Sequence, residues 1–181
     1  MKAFLSIVMV AFVLSFTPIP VVPAVGQQVV TATSPNAEAL SEMIRKHIPK
    51  DIPILADVSI TPPDSSVPAE LARLSGAWVG EWRGARTGAY MMDHVYVFEK
   101  VSNTSVTVAS MGVGRFVGDS NTNYGQTWAN RYELQPETTT PLTVTLPNGN
   151  RVTFQIQDGQ LKTRSVHRSG NSQVGTFKKI Q

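Results

Sequence analysis

The chain has 181 residues with no cysteine, 16% charged residues and a formal net charge of +3. Without cysteine there is neither a disulfide framework nor a thiol for lipid attachment, so burial alone has to stabilise the fold, and the length suits one ordinary domain. Basic residues stand singly apart from Arg45-Lys46 and Lys178-Lys179, a distribution that argues for a solvated surface and against a nucleic-acid partner.

Lys2 precedes the apolar run Ala3 to Phe16, and prolines follow at 18, 20 and 23. A charged start, a short apolar core and small residues at Ala24 and Gly26 predict a secretory signal over residues 1–26; cleavage after Ala24 fits the same pattern. The run falls short of the about 20 apolar residues a spanning helix needs. The expectation is a secreted or periplasmic protein, with no stable membrane anchor once the signal is removed.

Residues 27–73 read as an N-terminal helix followed by a proline-rich linker. Ser34-Pro35 suits a helix start, because serine caps free amides and proline fits the first turn. The helix is predicted to run to about His47, with Leu40, Met43, Ile44 and His47 on one side. That stripe docks either on the protein's own sheet or on an envelope protein. Five prolines between Pro49 and Pro68 predict an extended, loosely attached linker. Pro68 to Leu74 then reads as one or two helical turns that plug a barrel mouth.

From Gly76 onward the pattern alternates with period two, the signature of strands. Eight are predicted: Ala77 to Arg83, Asp93 to Val101, Ser105 to Val113, Thr127 to Gln135, Leu142 to Leu146, Arg151 to Gln157, Gln160 to His167 and Gln173 to Ile180. Short turns such as Asp158-Gly159 and Ser169-Gly170-Asn171 predict antiparallel neighbours in a meander, with only Gly114 to Gln126 long. Each strand shows one apolar face. The fold class expected over residues 74–181 is all-β: a sheet with one apolar face either meets a second layer as a sandwich or curls onto itself, and an eight-stranded antiparallel meander barrel is favoured because closure removes exposed edges.

Such a barrel has room for side chains or one small ligand. Trp128, Asn130 and Tyr132 share a face of the fourth predicted strand, and Tyr96 and Phe98 share a face of the second. If those faces point inward, they are the candidate binding residues for a small hydrophobic or amphipathic molecule; the same aromatics also suit plain core packing. Arg131 lies on the opposite face from Trp128, and in the reversed register it would enter the lumen and meet an anionic ligand.

Gly76-Ala77-Trp78 at the head of the meander resembles the opening of the calycin superfamily, which comprises lipocalins, fatty-acid-binding proteins and avidins. The Gly76, Trp78, Gly80 and Trp82 series also looks like that of small exported bacterial β-rich modules. The resemblance covers residues 74–180. It implies that Gly76 and Trp78 close one end of a barrel and that a basic residue near the last strand, Lys178, with Lys179 and Arg168 as alternatives, lies over the tryptophan.

Chemistry is sparse. His47, His94 and His167 stand apart without metal-ligand spacing, so no metal is expected. Ser165 and His167 share a strand face and Asp93 adjoins His94, but neither pair sits in a nucleophile elbow or triad context. Gly112 to Gly118 lacks the spacing and lysine of a phosphate loop. The reading is a non-enzymatic exported barrel without cofactor that binds a small hydrophobic or amphipathic ligand, the alternative being an interaction module with a filled core.

Overall fold

The alternation that begins at Gly76 becomes a single antiparallel sheet in the computed structural model, which describes residues 35–114 and 126–181. Two helices, α1 (Pro35–Arg45) and α2 (Ala69–Ala72), precede strands β1 (Gly76–Gly84), β2 (Tyr90–Val101), β3 (Val106–Gly114), β4 (Gln126–Leu134), β5 (Thr138–Thr139), β6 (Leu142–Thr145), β7 (Arg151–Gln157), β8 (Gln160–Val166) and β9 (Ser172–Lys179). The signal assigned to residues 1–26 and most of the long connection after Gly114 lie outside the described residues.

The sheet order is β4-β3-β2-β1-β9-β8-β7-β6-β5, so β1 pairs with β9 and brings the two ends of the meander together at its centre. This corrects the eight-strand closed barrel. The ninth strand is the two-residue β5, and β4 and β5 form the two edges, with no ladder between them among the described residues. Pro136 and Pro141 flank β5, and neither can donate to a ladder, which keeps this edge short.

The sheet nevertheless curls into a half-barrel. Tyr96 and Phe98 on β2 meet Phe154 on β7 edge-on, with ring centroids 5.2 and 5.3 Å apart, although three strands separate β2 from β7 in the sheet. The concave face carries Trp78, Phe98, Val108, Phe154, Leu161 and Phe177, all buried. At the end where β1 begins, Val67, Leu71 and Leu74 from the α2 segment complete this core, as expected of a plug.

Gly76 and Trp78 build that closed end. Gly76 has φ +125°, and a side chain there would run into the carbonyl of Gln181 and Lys179 Cε, so glycine alone lets the chain turn into β1. Trp78 is 2% exposed and donates its Nε1–H to the Leu74 carbonyl at 2.7 Å. The cation over its ring is Lys179, with Nζ 5.2 Å from the centroid and donating to the Arg73 carbonyl at 3.2 Å. Lys178 is not the capping residue: it lies one position away, on the opposite face, where it pairs with Val79.

The convex face is covered too. Ala77, Val95, Val97, Ala109 and Met111 form a second core with Leu40 and Ile44 of α1 and with Ile52 and Val58. The proline-rich stretch is thus no loose linker: Val58 is 0% exposed, and Thr61 N–H donates to the Glu99 carbonyl at 2.7 Å. Proline in extended segments keeps the chain stiff while the alternating apolar residues still find the sheet. α1, this stretch and the sheet belong to one compact unit that spans residues 31–181.

Candidate functional site

The strand register decides which side chains face the concavity. Trp78 pairs with Tyr96, Tyr96 with Ser110 and Ser110 with Asn130, while His94 pairs with Gly112 and Gly112 with Trp128. Trp128, Asn130 and Tyr132 therefore point into the half-barrel and Arg131 points out of it. Of the two registers open from sequence, the structure takes the one that keeps arginine outside. Arg131 is held there by Glu99 and Asp57.

Away from the plugged end the concavity is unfilled, leaving a cavity of about 360 Å³. Its depth is graded. Trp82, His94, Tyr96 and Ser110 form a buried floor; Trp128, Tyr132, Asn150, Ser165 and Gln173 are half-buried walls; Asn130, Asn148, His167 and Asn171 are an exposed rim. The rim comes largely from the β6–β7 and β8–β9 hairpins, whose turns open at the same end as the β1–β2 connection.

Gly112 shapes one wall. A side chain there would collide with the Trp128 indole, so the absent Cβ lets that ring lie flat across β3 beside His94, at a centroid separation of 5.4 Å. The His94 ring also stacks on Tyr96 at 4.2 Å and meets Trp82 edge-on at 6.3 Å. This aromatic quartet is the apolar part of the site.

The polar groups of the floor lie deep. His94 Nε2 lies 3.1 Å from Ser110 Oγ, and burial pushes the imidazole down to a pKa of about 3, so the ring is neutral at ordinary pH. A base that weak is a poor activator of Ser110, and the pair reads as a hydrogen-bonding surface rather than a nucleophile with its base. Burial pushes the Tyr96 phenol above its ordinary range; the Trp82 indole N–H, near enough to act on the phenol but short of a well-formed hydrogen bond, offsets part of that rise. Among the described residues, no three His, Cys, Asp or Glu side chains come together as a metal site.

Of the residues singled out in sequence, Tyr96, Trp128, Asn130 and Tyr132 line the cavity, and Phe98 does not. Phe98 sits two residues nearer the closed end, is 0% exposed and packs on Phe154, so it is core. Trp82, His94 and Ser110 were missed. Parity alone places Trp82 with Trp78 and His94 with Tyr96, but His94 looks isolated until β3 is set beside β2. The amides at 148, 150 and 171 read as turn formers, and their second role as rim appears only when the hairpins converge.

Comparison of the chain with protein-family models, with curated proteins and with solved structures finds no match in any of the three. The half-barrel is compatible with a calycin-like fold, and functional argument rests on the cavity.

Proposed function

We propose that this domain is an exported binding protein for a small amphipathic molecule, held in the open half of the half-barrel. The observation that carries the reading is the grading of one cavity from an aromatic floor to an amide rim, the arrangement by which small-molecule sites bury an apolar body and orient a polar end. Its volume of about 360 Å³ lies at the lower end of ligand sites. Export is supported by Lys2, the apolar run to Phe16 and the small residues before Gln27. Among the described residues no helix is long and apolar enough to cross a membrane. An interaction module built on α1 has less support, because Leu40 and Ile44 are already covered by the sheet.

Native mass spectrometry of the full chain, produced with its N-terminal segment and recovered from the exported fraction, tests both parts. The expected result is a shortened N-terminus near Gln27 and a reproducible small added mass that Tyr132→Ala diminishes. A full-length chain confined to the cell interior overturns export. A bare chain whose tryptophan emission also stays unchanged on titration with octyl glucoside, a neutral amphipathic probe, overturns ligand binding.

A further inference from the structure

Five buried side-chain polar atoms among the described residues lack a hydrogen-bond partner, and three of them, Trp82 Nε1, His94 Nδ1 and Asn150 Oδ1, belong to residues lining the cavity. Native proteins leave few buried polar atoms unpaired, and each exception asks for a reason. Three gathered around one cavity point to a surface that an occupant completes.

The three atoms constrain the occupant's chemistry. Trp82 Nε1 only donates and a carboxamide oxygen only accepts, while His94 Nδ1 does one or the other according to whether Nε2 accepts from or donates to Ser110. An aliphatic chain would leave all of them unpaired, so a fatty ligand is disfavoured. Among the described residues, sixteen line the cavity and none of them is Asp, Glu, Lys or Arg. An ionised group would therefore enter desolvated and without a counter-charge, which disfavours organic acids, amines and phosphates. The half-buried rings of Trp128 and Tyr132, one on each side of Asn130 on β4, offer flat apolar surfaces.

We propose that the ligand is a neutral sugar of one or two rings, whose hydroxyl periphery meets the floor and rim while its C–H faces lie against the aromatic walls. This rests on the ligand-binding reading and narrows it.

The test is two-dimensional NMR of the full chain titrated separately with cellobiose, maltose and diacetylchitobiose, and with 1-decanol and adenine as comparators. Expected are shifts at Trp82, Trp128 and Asn130 with at least one sugar and with neither comparator, and binding weakened about tenfold in Trp82→Phe, which keeps a ring and removes the N–H. Asn150→Ala carries the same test from the wall should Trp82→Phe fail to fold. Decanol or adenine bound in the cavity with no sugar bound overturns the sugar assignment and leaves ligand binding standing. Sugar binding that both variants leave unchanged places the site elsewhere and overturns the assignment. Failure of every probe removes both readings.

Discussion

The Arg131 guanidinium closes a fork on the Glu99 carboxylate, Nε to Oε2 at 2.6 Å and Nη2 to Oε1 at 3.0 Å. Its remaining face holds Asp57, with Nη1 donating to Oδ2 at 2.9 Å and Nη2 to Oδ1 at 3.0 Å. Ser59 N–H adds a donor to Glu99 Oε1 at 3.1 Å. One side chain of the edge strand β4 thus clamps the stretch around Asp57 onto β2, and Glu99, 6% exposed, has its charge matched.

Removing the cation strands that buried carboxylate. Arg131→Ala is expected to cost about 1–3 kcal/mol, less than breaking a fully buried pair, because Glu99 is buried but the guanidinium is 35% exposed and screened by solvent. Arg131→Lys, with a point charge in place of a fork, should recover only part. Urea denaturation of the three proteins checks it; a loss under 1 kcal/mol in Arg131→Ala would mean solvent reaches Glu99.

The stretch from Pro49 to Pro68 shows where sequence reading stops. Its prolines are visible and its lack of helix follows from them, but whether Ile52 and Val58 are buried depends on the apolar residues of β1, β2 and β3 that face outward. Those outward residues were legible as alternation only while one face was assumed to be wet; Val95 and Val97 break that assumption, since β2 is apolar on both faces. Strand positions came through because period two and tight turns are local. Closure did not, because it depends on a pairing between β4 and the segment after it, and no local signal reports that pairing. The β4 share of the site, Trp128, Asn130 and Tyr132, followed from parity along that strand, whereas the His94–Ser110 contact links residues that neighbouring strands bring together.

If that stretch is a true layer, Ile52→Ala should destabilise the whole domain by about 2–5 kcal/mol in a single transition, as a buried aliphatic truncation does. Limited proteolysis should find residues 52–60 protected in the parent protein and cut in the variant. Early cleavage there in the parent, with the sheet intact, would restore the linker reading.

Trp78 anchors the plugged end through both its ring and its N–H to Leu74. Trp78→Ala should cost about 3–5 kcal/mol. Trp78→Phe retains most of the burial but orphans the Leu74 carbonyl, a loss of about 1–3 kcal/mol. Equal effects in the two variants, measured by chemical unfolding, would show that the hydrogen bond rather than the packing dominates.

His94 gives the domain a specific pH dependence. Its pKa falls from 6.5 in the open chain to about 3 in the fold because burial disfavours the cation. The unfolded state therefore binds the extra proton first, and stability is full above pH 6.5 and declines as pH falls toward 3, at about 1.4 kcal/mol per pH unit. Asp57, held below the ordinary 3.8 by Arg131, also contributes stability that acid removes, but only beneath that value. Between pH 6.5 and 4.5 the expected loss is roughly 2–3 kcal/mol, and His94→Phe should flatten that part of the profile. A slope that survives the substitution belongs to another group.

Gly112 and Trp128 should show coupling that neither shows alone. The backbone at Gly112 is ordinary strand, so alanine there meets no conformational penalty; its methyl group instead strikes the indole. Gly112→Ala is expected to cost about 1–3 kcal/mol by overpacking and to shift the tryptophan emission as the ring is pushed toward the cavity. Trp128→Ala removes the obstacle, so the double variant should be more stable than the sum of the single effects predicts, by about 1 kcal/mol or more, as residues in contact require. Additive effects would mean that the indole has room to swing aside, in which case the wall it forms is adjustable and the cavity accepts a broader range of ring sizes.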